Sequence, residues 1–249
     1  MQIFNLNLEN INQIVLPKIV ATIGQFDGLH IGHMHLINQC LNIKNKHNLK
    51  SAVITFNPRV DVIIKNDSKK NYLLDQESII DKLTQLNIDY LLFINFSKEI
   101  STISHEDFFK KLLLPLNIQK LIVGFDFSYG YKGLGNATTI SSDSANRIKP
   151  IIIEEQKINN EKIGTNQIKQ YLLQGNILQA NKLLGYNFFI KPLYYDNYYS
   201  CENIHLLKDQ KYFVLINGKE YLLEKIDNKL IILDNNYSYP NIKMIEFIK

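Results

Sequence analysis

The chain has 249 residues, 45% hydrophobic and 21% charged, with a formal net charge of +4; that suits one sizeable α/β domain with a small appendage, or two modest domains, around a real core. The lysines are scattered instead of forming a basic block, so composition makes no case for nucleic acid, and an anionic small ligand suits the slight positive balance equally well. The two cysteines, Cys40 and Cys201, match no metal or redox spacing, and no basic stretch leads into a long apolar run, so a cytoplasmic protein without disulfides, signal segment or membrane span is expected.

In chain order, residues 19–23 form a short β-branched run ending at Gly24, and beyond Gly32 the residues Leu36, Ile37, Cys40 and Leu41 recur at helical spacing. A strand therefore hands over to a helix across a glycine-marked turn. Residues 51–56 (SAVITF) read as a second buried strand closed by Asn57-Pro58, 76–86 as a helix carrying Ile79, Ile80, Leu83 and Leu86, and 89–96 as a third strand. Ser104 is placed as the N-cap of an amphipathic helix through SHEDFFKKLLLPL, with Asp107 as a carboxylate version of the capping-box partner. QKLIVGFDF follows as a fourth strand.

Strands alternating with helices predict a parallel sheet covered on both faces, with ligands collecting at the strand ends after Ile23 and Val123. Two short helical stretches around Gly175-Asn176 end at Gly185 as a C-cap. Behind it, three strand-like runs separated by Asn217-Gly218 and Asp227-Asn228 predict a small antiparallel β unit. The expected division is into residues 1–185 and 186–249.

The chemistry concentrates in IGQFDGLHIGH, residues 23–33. His30 and His33 stand where a strand meets a helix start, beside backbone N–H groups suited to phosphate, and Gly28 and Gly32 let the chain approach an anion closely. Helix capping is an equally available role for the pair. A zinc site needs three or four ligands, and only Asp27 and His35 lie nearby. A second glycine-rich stretch, VGFDFSYGYKGLG, also follows an apolar strand. Its Phe125, Phe127, Tyr129 and Tyr131 offer either a flat surface for a ring system or core packing, and Asp126 is able to orient a hydroxyl, a ring nitrogen or a magnesium-bound water.

Together these residues resemble the prokaryotic FAD synthetase family, the nucleotidyltransferase half of bifunctional riboflavin kinase/FMN adenylyltransferase, in order from about Val20 to Gly185. The loop from Gly24 to His33 is similar to that family's glycine-x-phenylalanine-aspartate-glycine-x-histidine-x-glycine-histidine signature. TFNPR, ending at Arg59, occupies its threonine-phenylalanine-x-proline-histidine segment. VGFDFSYG is similar to its glycine-x-aspartate-phenylalanine-x-phenylalanine-glycine motif, and LLQGNILQANKLLGYNF to the helical close of its transferase domain. The chain departs from the pattern at Arg59 for histidine and at Tyr129 for phenylalanine. In IGTNQIK, Gly164, Thr165 and Asn166 replace hydroxyl residues, and Lys169 replaces an arginine whose planar fork grips two phosphate oxygens at once. The glycine-x-proline-threonine-x-asparagine motif of riboflavin kinase is missing from residues 186–249, so kinase activity is not expected, and the β unit reads as a shortened remnant, an interaction module or a stabilising lid.

The resemblance implies a Rossmann-like nucleotidyltransferase fold and transfer of AMP from ATP to FMN, giving FAD and pyrophosphate, with Mg2+ accompanying the nucleotide. It implies that His30 and His33 contact the triphosphate while Thr165, Asn166 and Lys169 steady the pyrophosphate. ATP falls to Gly24, Gln25, Phe26, Asp27, Gly28, Gly32, Gly124 and Asp126, and the flavin to Phe56, Asn57, Pro58, Arg59, Phe127, Tyr129 and Gly130. Two rivals are an adenylyl- or cytidylyltransferase for another phosphorylated substrate, since the histidine loop is generic, and a non-catalytic flavin or nucleotide binder, since the 163–169 segment is altered.

Overall fold

The computed structural model describes residues 1–65, 72–158, 161–195, 197–234 and 241–249. It resolves into two compact units: Met1–Phe26 with Gly32–Lys69 and Gln76–Gln156, and Asp27–Ile31 with Lys70–Asp75 and Lys157–Lys249.

The first unit is built on six strands, β1 Gln2–Leu6, β2 Ile19–Ile23, β3 Lys50–Phe56, β4 Tyr90–Ile94, β5 Ile118–Gly124 and β6 Lys149–Ile153. They form one sheet in the order β1-β4-β3-β2-β5-β6, every neighbouring pair parallel. β2 is buried along its whole length, as a central strand covered on both sides must be. Side-chain alternation divides its residues between two layers. Val20 and Ile122 pack with Cys40 of helix α1 (Ile31–His47) on one face. On the other, Ala21, Ile23, Leu121 and Val123 share a core with Phe108, Phe109, Leu112 and Ile140. Helices thus cover both faces, as the alternating pattern predicts. Two further helices, α2 Val60–Lys65 and α3 Gln76–Gln85, connect β3 to β4.

The segment expected as one amphipathic helix is three short pieces. Ser104 is its N-cap, accepting from the Asp107 N–H at 3.1 Å, and α4 runs His105–Phe108. A wide π turn (Phe109–Leu113) and a 3-10 turn (Leu114–Leu116) follow, ending on Asn117 in the left-handed region. Pro115 supplies no N–H and its ring crowds the preceding turn, so regular helix cannot continue. The wider turn still buries Phe109, Leu112 and Leu113. The short helix α5, Ile140–Asp143, precedes β6.

In the second unit, seven strands form an antiparallel sheet. They are β7 Phe189–Ile190, β8 Leu193–Tyr195, β9 Tyr198–Ser200, β10 Gln210–Ile216, β11 Lys219–Ile226, β12 Lys229–Ile232 and β13 Ile245–Phe247, in the order β7-β13-β10-β11-β12-β9-β8. Asn217 and Gly218 both have positive φ, at 52° and 77°, the turn geometry that matches strand twist and joins Ile216 to Lys219 in register.

Helices α6 (Thr165–Leu173) and α7 (Ile177–Leu184) meet at Gly175-Asn176, and α7 ends on Gly185 in the left-handed conformation. Their apolar faces, with Ile168, Leu172, Ala180 and Leu184, share one core with Phe188, Tyr212 and Phe247 of the sheet. The second unit thus takes in α6 and α7 together with the segments Asp27–Ile31 and Lys70–Asp75. An amphipathic helix belongs to whichever surface buries its stripe, and here that surface is the antiparallel sheet. No helix among the described residues is long and apolar enough to cross a membrane.

Candidate active site

The strand order reverses between β2 and β5. β2 leads through α1 to β3 on one side, whereas β5, its other neighbour, continues to β6. In open parallel sheets such a reversal leaves a crevice beyond the carboxyl ends of the two strands, here at Gly24 and Gly124.

Within the first unit, the Gly24 N–H donates to the Ile54 carbonyl at 3.1 Å, carrying the chain off the strand end. Phe26 is buried, and its ring meets the His33 imidazole edge-on with centroids 5.2 Å apart. His33 is half-buried in the first turn of α1, next to Gly32. At the end of β5, Phe127 N–H donates to the Gly124 carbonyl at 3.1 Å, a tight turn that leaves Phe125 46% exposed and Asp126 exposed beside it. Phe127 packs against the core, and the Tyr129 ring is buried in it.

Beyond β3, Phe56 is half-buried against Phe96, with ring centroids 5.6 Å apart, and the Asn57-Pro58 peptide is cis. Asn57 donates its side-chain amide to Gln76 at 3.1 Å. The Arg59 guanidinium grips both carboxylate oxygens of Asp61, at 3.0 and 2.8 Å.

Residues 27–31 belong to the second unit, and Asp27 organises them. Its Oδ1 accepts from the Leu73 N–H at 2.7 Å, its Oδ2 stands 3.0 Å from the Lys169 ammonium, and its backbone carbonyl accepts from the Thr165 hydroxyl at 3.4 Å. Thr165 and Lys169 lie one turn apart on α6, so one helix face presents both to the loop. Asn166, between them in sequence, is exposed, and Gly164 is the N-cap residue. Gly28 has φ of 79°, a conformation glycine adopts without strain. Its carbonyl accepts from the Tyr186 hydroxyl, whose pKa burial pushes upward. His30 is 5% exposed. Burial lowers its pKa to about 4, the charge of Asp27 offsetting only part of that effect. At neutral pH it is an uncharged imidazole, able to donate from one nitrogen and accept at the other.

Thr165 and Lys169 are thus brought to Asp27, and the histidine loop is fixed from three sides. Leu73 completes that arrangement without any sequence signal, since it lies in no motif; Tyr186 lies in the LLQGNILQANKLLGYNF segment, but nothing there singles it out as a partner of the loop. Leu73 contributes a backbone donor, which any residue type supplies.

A model of the FAD synthetase family matches residues 13–167. A bifunctional riboflavin kinase/FMN adenylyltransferase of Listeria monocytogenes is 32% identical over 177 residues, 71% of this chain and 56% of that protein. Its counterpart in Bacillus subtilis is 31% identical over the same shares. A protein named FAD synthetase, also of Listeria monocytogenes, is 28% identical over 69% of this chain and 70% of its own length. The chain spans a little over half the length of the bifunctional relatives. A crystal structure from Streptococcus pneumoniae, described as a macrolide-efflux protein, shares the fold with a TM-score of 0.85 at 20% identity, covering 99% of this chain and 89% of its own. With the family model matching more than half of its residues, the chain belongs to the FAD synthetase family.

Proposed function

We propose that this chain transfers the AMP part of ATP to FMN, forming FAD and releasing pyrophosphate. The observation that carries the reading is the histidine loop, matched within the family model and held at Asp27 by Lys169 and Thr165. A phosphate oxygen of FMN attacks the α-phosphorus, the bond to the bridging oxygen breaks, and pyrophosphate departs with the electron pair. No protein nucleophile is needed; catalysis consists of alignment and of stabilising charge on the phosphate oxygens.

In this reading ATP enters as its magnesium complex, the ion coordinated chiefly by phosphate oxygens and water. His30 and His33 donate hydrogen bonds to the triphosphate, with Gly24, Gly28, Gly32 and Gly124 giving it close backbone approach. An ammonium carries three donors, so Lys169 holds Asp27 and keeps donors for the departing pyrophosphate. The flavin is assigned to Phe56, Arg59, Phe127 and the backbone of Gly130. Tyr129, whose ring is buried, serves through its backbone. Residues 186–249 lack the kinase motif, and riboflavin with ATP is expected to give no FMN.

Purified protein with FMN, ATP and magnesium should yield FAD by chromatography, and His30→Ala or His33→Ala should suppress it. Turnover of a different phosphorylated acceptor, with none of FMN, would overturn the flavin assignment. Flavin fluorescence quenching without pyrophosphate release would instead make the chain a binder.

A further inference from the structure

Tyr129 stands where the family motif carries phenylalanine, and a phenol buried among aromatic rings needs a partner for its hydroxyl. Its ring lies 4.8 Å from that of Phe109 and 5.4 Å from that of Phe127. The hydroxyl donates to Asp143 Oδ2 and meets the Thr139 hydroxyl at 2.8 Å. The Asp143 side chain is only 5% exposed, and its Oδ2 also lies 2.8 Å from His105 Nδ1. The far nitrogen of His105 is 3.3 Å from the exposed carboxylate of Glu106. A polar relay therefore joins three elements: the glycine-rich segment after β5, helix α5 and the start of α4.

The same segment is seated on His105 by its backbone. Tyr131 N–H donates to the Ile103 carbonyl at 2.7 Å. A Cβ on Gly130 would fall 2.5 Å from His105 Cα, and one on Gly135 would fall 2.6 Å from His105 Cβ. Only a chain without side chains at those two points lies so close.

We propose that Asp143 and His105 are positioning residues: through Tyr129 they hold residues 128–136 in the conformation that receives FMN, and so set flavin affinity without touching the flavin. The inference rests on the reading of the chain as an FMN adenylyltransferase.

Among the described residues, the titratable groups facing His105 are Asp143, Glu106 and Tyr129. Its hydrogen bond to Asp143 raises the imidazole pKa from 6.5. Burial pushes the Asp143 carboxyl up, but the bonds from Tyr129 and His105 outweigh it and leave the pKa lowered. The relay is an ion pair while His105 is protonated. As pH rises through the raised histidine value, one neutral N–H···O bond remains and the segment loosens.

The test uses full-length protein with His105→Gln, Asp143→Asn and the double variant Tyr129→Phe/Asp143→Leu. The double variant removes the Tyr129 hydroxyl and its acceptor together, so no buried phenol is left unpaired, while His105, whose side chain is 27% exposed, loses its carboxylate partner. FMN dissociation constants by fluorescence quenching between about pH 6 and 9, FAD kinetics, and amide exchange across 128–136 are the measurements. Asp143→Asn is expected to raise the Kd and KM for FMN on the order of tenfold or more, with kcat at saturating FMN little changed. His105→Gln and the double variant should lose the pH inflection that the wild type shows. Unchanged FMN affinity with the inflection intact in the folded variants overturns the relay and leaves FAD synthesis standing. A wild-type chain that binds no FMN overturns both readings, because nothing is then positioned.

Discussion

The Lys169 ammonium stands 3.0 Å from Asp27 Oδ2, and the two side chains are 12% and 3% exposed. Such a pair is costly to break from one side, because the remaining charge is left in a poorly solvated place. Lys169→Met is expected to destabilise the fold by about 3 kcal/mol, and adding Asp27→Asn should restore part of it. Urea unfolding of the four proteins in this double-mutant cycle measures the coupling. Strict additivity would show that the pair does not hold the loop.

His30 makes stability depend on pH in a defined window. Its folded pKa is lowered from 6.5 to about 4, so between those values the unfolded chain binds more protons than the folded one. Stability therefore rises as pH climbs from about 4 to 6.5, is fully present above 6.5, and is lost as pH falls through the folded value. The contribution amounts to up to about 3 kcal/mol. Thermal melts of wild type and His30→Gln across that range should differ in slope: as pH falls from 6.5 to about 4 the difference shifts in the variant's favour, because glutamine has no buried charge to acquire.

His33 packs its ring against Phe26 and lies in the first turn of α1, where a donor can meet developing negative charge. His33→Ala is expected to lower kcat for FAD formation by about a hundredfold. Steady-state kinetics at saturating ATP and FMN reads this directly, and a circular dichroism spectrum like that of wild type separates it from misfolding.

Gly28→Ala combines two penalties. The backbone φ is +79°, and the new Cβ would lie 2.6 Å from Leu73 Cδ1. A cost of about 1–3 kcal/mol is expected, and FAD formation should fall more than stability alone explains, because Leu73 N–H also holds Asp27. Chemical unfolding alongside kinetics separates the two effects.

The interior of the parallel sheet is legible because its strands carry short apolar runs, as at Ile19–Ile23 and in the buried Leu121, Ile122 and Val123 of β5. The edge strands β1 and β6 give no comparable signal: QIFNL is mostly exposed, and KPIII contains Pro150, which only an edge accommodates. Ser104 is readable as a cap because capping is local. The break at the π turn follows from Pro115, yet its position depends on how Phe108 and Phe109 meet the sheet. Glycine-marked loops identify themselves, but the partner of Asp27 does not. Thr165 lies 138 positions from it, and nothing in the spacing couples α6 to the loop. The assignment of α6 and α7 to the antiparallel sheet is likewise a matter of which surface receives an apolar stripe, which local pattern leaves open.

Leu73 and Ile31 pack into the same interior as Phe188, Tyr212 and Phe247, yet they come from segments Lys70–Asp75 and Asp27–Ile31, far upstream of the sheet they complete. A fragment starting at Lys157 would carry every strand of that sheet and still have a hole in its middle. The second unit is therefore not a detachable cassette: no single cut or gene fusion joint can lift it out whole, and a nick near Lys157 would part its sheet from core residues carried by the upstream piece.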